Sequence, residues 1–138
     1  MKLQDLRLFL LLEILTVPAV ILIFRLIEPR ILAAGLAGSV FILLGSFFLF
    51  RMWKWPYKWV SPTFWMSGIH LVVVALPMLV VRMSYFQLAM GDIRIFGIPG
   101  PEFHKISERV YGFLIFATIF DVLRVRRENG KLGEGQVK

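Results

Sequence analysis

Four blocks of apolar residues, each about the length that a helix needs to cross a lipid bilayer, take up most of this 138-residue chain. A spanning helix requires about 20 mostly apolar residues to cross about 30 Å of hydrocarbon. The blocks cover approximately residues 8–27, 31–50, 63–82 and 107–123. The sequence therefore predicts an all-α polytopic membrane protein, a bundle of four transmembrane helices that forms a single membrane domain.

The composition narrows the classes of function. Hydrophobic residues make up 58% of the chain, against about 45–50% in soluble domains. There is no cysteine, which excludes disulfides, thiol nucleophiles and most structural zinc sites. The segments outside the four blocks are too short to hold a soluble catalytic domain. We therefore expect a protein that is not an enzyme and that uses no metal and no cofactor.

Basic residues outside the blocks predict the orientation. The first block contains Glu13 and no small-residue cleavage site follows it, so we expect an uncleaved span rather than a signal peptide. One side of the membrane receives ten cations and the other six, and excess cations stay in the cytoplasm. The ten are Lys2, Arg7, Arg51, Lys54, Lys58, Arg124, Arg126, Arg127, Lys131 and Lys138, and the six are Arg25, Arg30, Arg82, Arg94, Lys105 and Arg109. Both termini are therefore expected in the cytoplasm, with the protein in a bacterial inner (plasma) membrane.

The longer connections differ in character. The loop over residues 83–105 is expected outside the cell, and its stretch 93–98 has the pattern of an extended segment. Pro99-Gly100-Pro101 is expected to break any helix there. Because this loop is too apolar to remain fully solvated, we expect it to lie against the membrane surface or the bundle. The tail over 124–138 is polar and basic, and we expect it to fray in the cytoplasm.

The second block is rich in small residues at helical spacing. Ala34 and Gly38 are four apart, as are Gly35 and Ser39. Such spacing lets two helix backbones approach closely, which is how helices gain contact in lipid. The predicted packing residues are Ala34, Gly35, Gly38, Ser39, Gly45 and Ser46. They serve contacts either within the bundle or between subunits.

Aromatic and basic residues alternate in the cytoplasmic segment 51–62. Trp and Tyr favour the headgroup layer, while Lys and Arg reach phosphates. The predicted lipid-interface residues are Trp53, Lys54, Trp55, Tyr57, Lys58 and Trp59. Alternating basic and aromatic residues also occur in nucleic-acid sites. The position between two spans favours lipid, so no nucleic-acid partner is expected.

Three ionisable residues, Glu13, His70 and Asp121, lie inside the apolar blocks. At about 1.5 Å of rise per residue, all three fall on the cytoplasmic side of the bilayer midplane. Each has a hydroxyl residue on the same helical face, and these are Thr16, Ser67 and Thr118 in turn. Ionisable groups in hydrocarbon usually face the bundle interior and pair. The sequence therefore predicts a buried polar cluster of these six residues.

This cluster admits three interpretations. It is a proton- or ion-handling site, because a carboxylate and an imidazole exchange protons near neutral pH. Alternatively, its polar contacts hold the helices in register. In the third interpretation Asp121 simply pairs with Arg124 and there is no cluster. His70 as a haem ligand would need a second histidine at membrane depth, and His104 lies in the outer loop.

The leading functional hypothesis is a non-enzymatic membrane component that works by helix packing, in a homo-oligomer or with other membrane-protein subunits. It is based on the small-residue stripe of the second block and the shortage of catalytic side chains. The first alternative is a small proton- or ion-coupled transporter or channel that uses Glu13, His70 and Asp121. The second alternative is a membrane anchor of a redox complex that binds haem or quinone through His70.

Overall fold

The computed structural model describes residues 3–134, most of which are helical. The four long helices are α1 (Leu3–Leu26), α2 (Arg30–Trp53), α3 (Pro62–Ser84) and α4 (Gly100–Glu134). Short 3-10 turns occupy Lys58–Val60 and Met90–Asp92, and the strands β1 (Arg94–Ile95) and β2 (Ile98–Pro99) form a hairpin. Lys2 and Lys138, two of the ten cations used for the predicted orientation, lie outside the described residues.

The helices form an antiparallel bundle in which each one contacts two neighbours, in the order α1, α2, α3, α4 and back to α1. Asp5 near the start of α1 pairs with Arg51 near the end of α2. Asp121 in the later part of α4 bonds the backbone of Thr63 at the start of α3. The end of the bundle that contains residues 3 and 134 is called the terminal end below, and the opposite end is called the hairpin end.

The buried residues recur every three or four positions, which places them on one stripe of each helix. These stripes include Leu6, Phe9, Glu13 and Thr16 in α1, Thr63, Ser67, His70 and Val74 in α3, and Tyr111, Leu114, Thr118, Asp121 and Val125 in α4. The outer surface is strongly apolar, with Leu43 70% and Phe116 69% exposed. Buried ionisable side chains inside and a strongly apolar surface outside suit hydrocarbon surroundings.

Within the described residues 3–134, three helices are long and apolar enough to cross a membrane, namely α1, α2 and α3. The fourth, α4, is longer but more charged, because its longest run without acidic or basic side chains is residues 110–120. It also begins earlier than the predicted span 107–123. Pro101 lies in its first turn, where a missing N–H costs nothing. The helix then continues to Glu134, through most of the tail that was expected to fray.

The connection between α3 and α4 folds onto the hairpin end of the bundle. Its strands pair Arg94 with Pro99 and Ile95 with Ile98. The turn residues Phe96 and Gly97 both have positive φ, 52° and 78°, as a two-residue hairpin turn requires. The connection buries two isoleucines against α3 and α4, and the resulting cluster, called the apolar plug below, comprises Val74, Ile93, Ile95 and Phe103.

Candidate functional site: the buried polar side chains

Glu13 is completely buried between α1 and α4. The Thr118 hydroxyl lies 2.9 Å from Glu13 Oε1, and the Tyr111 hydroxyl donates to the main-chain oxygen of Glu13 at 2.8 Å. The other carboxyl oxygen, Glu13 Oε2, has no hydrogen-bond partner in the protein. Buried polar atoms nearly always have a partner, so an exception in a membrane helix marks a candidate functional group.

The Thr118 hydroxyl stands between two acceptors. It lies 3.0 Å from the Leu114 carbonyl oxygen as well as 2.9 Å from Glu13 Oε1. A hydroxyl carries one proton and can donate only one of these bonds, but it can also accept. It can donate to an ionised Glu13, or it can donate to Leu114 while accepting from a protonated Glu13. The same geometry therefore accommodates both protonation states of the carboxyl group.

His70 lies in the interior, where its ring packs in a group of three with those of Phe41 and Tyr111. Its ring centroid is 5.5 Å from that of Phe41 and 5.1 Å from that of Tyr111. His70 begins a π turn in α3, His70–Ala75, after which the Leu76 N–H bonds the Leu71 oxygen. Pro77 follows directly and cannot donate a backbone hydrogen bond. Single π turns inside α-helices often occur at functional sites.

Asp121 has a different environment. Its Oδ2 accepts hydrogen bonds from Ser61 Oγ at 2.6 Å and from Thr63 N at 3.1 Å. Its Oδ1 lies 3.0 Å from Arg124 Nη2. Ser61 is the N-cap of α3, so the carboxylate satisfies backbone and side-chain donors where a helix favours negative charge. Asp121 thus connects α4 to the start of α3.

The structure brings some of the predicted polar residues together and separates others. Glu13 meets Thr118 rather than Thr16, whose hydroxyl donates to Leu12 O at 2.7 Å. Ser67 Oγ is buried without a protein partner. Within residues 3–134, no hydrogen bond or ion pair joins Asp121 to Glu13 or His70. The polar residues therefore occupy two sites, because Asp121 lies level with the start of α3 and His70 two turns deeper.

Sequence reasoning missed Tyr111, whose ring contacts His70 and whose hydroxyl bonds Glu13. Its spacing carried a signal, since Tyr111 and Thr118 are seven residues apart and therefore lie on one stripe of α4.

The small residues of α2 divide between two faces. A Cβ built on Gly35, Gly38 or Gly45 would contact α3 at Met83, Leu79 or Leu71 respectively. The glycine packing face is therefore used within the chain. Ser39 and Ser46 are exposed, Ala34 is half-buried, and Ala33 and Ala37 are the buried alanines of α2.

The aromatic and basic residues cluster at the terminal end. Trp53, Tyr57 and Trp59 are exposed, and Lys58 Nζ lies 4.0 Å from the Trp53 ring centroid. Lys54 Nζ lies 5.0 Å from the Phe50 ring centroid. Trp55 departs from its predicted position at the lipid interface. It is 6% exposed and belongs to the core with Phe9, because the chain turns inward there.

Metal and haem ligands do not gather at these sites. Among residues 3–134, no group of three or more His, Cys, Asp and Glu side chains is placed to hold a metal ion. His104 is exposed in the first turns of α4, where it lies 3.3 Å from Glu108. The two histidines of the chain therefore do not face each other.

Comparisons with protein-family models, curated proteins and solved structures find no match to this chain.

Proposed function

We propose that the chain is an integral membrane protein that crosses the bilayer four times, with its terminal end in the cytoplasm. The antiparallel contacts of α4 with α1 and α3 support a fourth span. Its uncharged segment 110–120 is short, but long basic side chains extend to the headgroups. The excess of cations at the terminal end supports this orientation and a bacterial plasma membrane.

We further propose that the bundle is a small proton-coupled transporter or channel and that Glu13 carries the proton. This rests on the Glu13 carboxyl group, which is buried in the bundle with one unpartnered oxygen and a Thr118 hydroxyl that serves either protonation state. A metal ion needs several ligands of its own, whereas a proton needs one carboxyl group. The proton is therefore the favoured species, and no chemical reaction is required.

Several other titratable groups lie around Glu13. His70 of α3 and Tyr111 of α4 are nearest through the Tyr111 ring and hydroxyl. Asp121 lies one turn from Thr118 on α4 and is paired with Arg124. The pair of Asp5 on α1 and Arg51 on α2 lies two turns away toward the terminal end. On α2, the ring of Phe41 contacts the rings of His70 and Tyr111, and it is not titratable.

Proton flux into liposomes that contain the purified protein and a trapped pH-sensitive dye tests this function. Glu13→Gln keeps the shape of the side chain and removes its proton exchange, so flux should fall to that of protein-free liposomes. Asp5→Asn is the matched control, an acidic residue of the same helix at the end of the bundle, and flux should persist. Wild-type flux with Glu13→Gln would overturn the proposal.

The leading hypothesis from the sequence, a packing subunit, remains a second candidate because of one observation. In the second half of α1, residues 17–26 include no buried side chain, and Leu22 and Leu26 are 54% and 73% exposed. A partner helix from another subunit or a second copy would cover this surface. Gentle detergent extraction followed by identification of co-purifying proteins, and by measurement of the oligomeric mass, tests this role. A monomer that retains no partner would contradict it.

A further inference from the structure

Unpartnered polar atoms of the interior lie in one half of the bundle. Thr63 Oγ1, Ser67 Oγ and Glu13 Oε2 are buried and have no hydrogen-bond partner in the protein. Thr63 and Ser67 lie on the α3 stripe between the terminal end and His70. Leaving several polar atoms unpaired in the interior is costly, and water commonly satisfies such atoms where a site is polar.

Beyond His70 the interior changes character. The next stripe residue of α3 is Val74, which packs in the apolar plug with Ile95 and Phe103. Partly buried Met78, Val81, Ile98 and Val110 surround the plug. The polar interior thus ends at an apolar seal that the hairpin completes.

Near the terminal end, polar contacts lie between α3 and α4. The same end also contains an apolar core to which all four helices contribute, among them Phe9 of α1, Phe64 of α3 and Val125 of α4. Arg124 has a side chain that is 23% exposed, and its guanidinium contacts the buried Asp121 and the Val60 carbonyl. A chain of polar contacts therefore runs from the partly exposed Arg124 through the buried Asp121 to the start of α3.

We propose that water enters beside Arg124 and reaches Ser67 and Glu13, and that the apolar plug closes the interior beyond His70. This inference rests on the proposed function in one respect, namely that Glu13 carries the proton. Given that role, the water path means that Glu13 exchanges its proton with the terminal side. The hairpin then prevents exchange with the opposite side in this conformation.

Single-cysteine variants test the path directly, because the natural chain has no cysteine. The probe is a charged methanethiosulfonate reagent applied to one side of oriented vesicles at a time. Gln4→Cys marks the terminal side and Gln87→Cys the hairpin side, as both residues are exposed. Ser67→Cys should react only from the side that labels Gln4→Cys. Thr63→Cys should do the same, and it serves if the Ser67 variant does not fold.

Two valines of α3 provide matched controls. Val72 is 60% exposed but faces outward, so hydrocarbon should shield Val72→Cys from the charged reagent. Val74→Cys lies in the plug and should react from neither side. A thiol must ionise to react, and it ionises in water but not in hydrocarbon. We therefore expect Ser67→Cys, which the proposed water reaches, to react at least about tenfold faster than Val72→Cys, which faces the lipid.

The outcomes separate this inference from the proposed function. No reaction at Ser67→Cys and Thr63→Cys from either side, or reaction only from the hairpin side, would overturn the water path. Labelling requires no proton flux, so a terminal-side path with flux independent of Glu13 would support the path and refute the transport role. Replacing Ile95 by serine in the Ser67→Cys background should open the plug and permit labelling from both sides, and a result still confined to the terminal side would refute the seal.

Discussion

Replacing Asp121 by alanine removes the carboxylate that connects α4 to the start of α3. The change leaves the Ser61 hydroxyl, the Thr63 N–H and the Arg124 guanidinium without this acceptor. Hydrogen bonds to charged groups contribute about 1.5–3 kcal/mol each, and breaking a buried ion pair costs about 3–5 kcal/mol. These contributions overlap, so we expect Asp121→Ala to lower the free energy of unfolding by about 3–5 kcal/mol.

Thermal unfolding in detergent micelles, followed by circular dichroism of the helices, measures this loss. For a chain of this length each kcal/mol corresponds to about 3–5 °C, so Tm should fall by roughly 10–25 °C. Asp5→Ala is the comparison, because its partner Arg51 is 46% exposed and can turn to solvent when the carboxylate is lost, so the loss should be smaller than for Asp121→Ala. Equal losses for the two variants would refute the assignment of Asp121 as the link between α3 and α4.

Two glycines give further predictions. Gly45→Leu should cost about 1–3 kcal/mol by overpacking, since a Cβ there already lies 3.3 Å from Leu71 Cδ1. Ser46 is adjacent and exposed, so Ser46→Leu should change the free energy of unfolding by no more than about 0.5 kcal/mol. Thermal unfolding compares the two variants, and a larger loss for Ser46→Leu than for Gly45→Leu would contradict the α2–α3 contact. Gly100→Ala would place a Cβ 2.3 Å from the Met90 carbonyl oxygen and should also cost about 1–3 kcal/mol. A wild-type Tm for Gly100→Ala would contradict this tight contact.

The sequence predicts the helical class well because apolar blocks report directly on helix length and surroundings. α1, α2 and α3 follow from hydropathy alone. The bounds of α4 do not, because Pro101 fits both a helix break and a helix start. The contact of the glycines of α2 with α3 also depends on tertiary packing, which small-residue spacing leaves undecided.

The polar site was harder to predict than the helices. Periodicity places Glu13 and Thr118 in the interior, but it does not say which helices face each other. Asp121 was grouped with Glu13 by depth, whereas the donors at the start of α3 hold it in a site of its own. Trp55 shows the same limit, because alternating aromatic and basic residues do not reveal where the chain turns inward.

All four tryptophans of the chain fall between residues 53 and 65, around the terminal end of the bundle. Intrinsic tryptophan fluorescence is consequently a local reporter of that end. Brominated lipids should quench Trp53, Trp59 and Trp65, which are exposed, much more than the buried Trp55. Loosening of the hairpin from α3 and α4 would leave the emission spectrum unchanged, so an observer who used fluorescence alone would record an intact protein while its opposite end had opened.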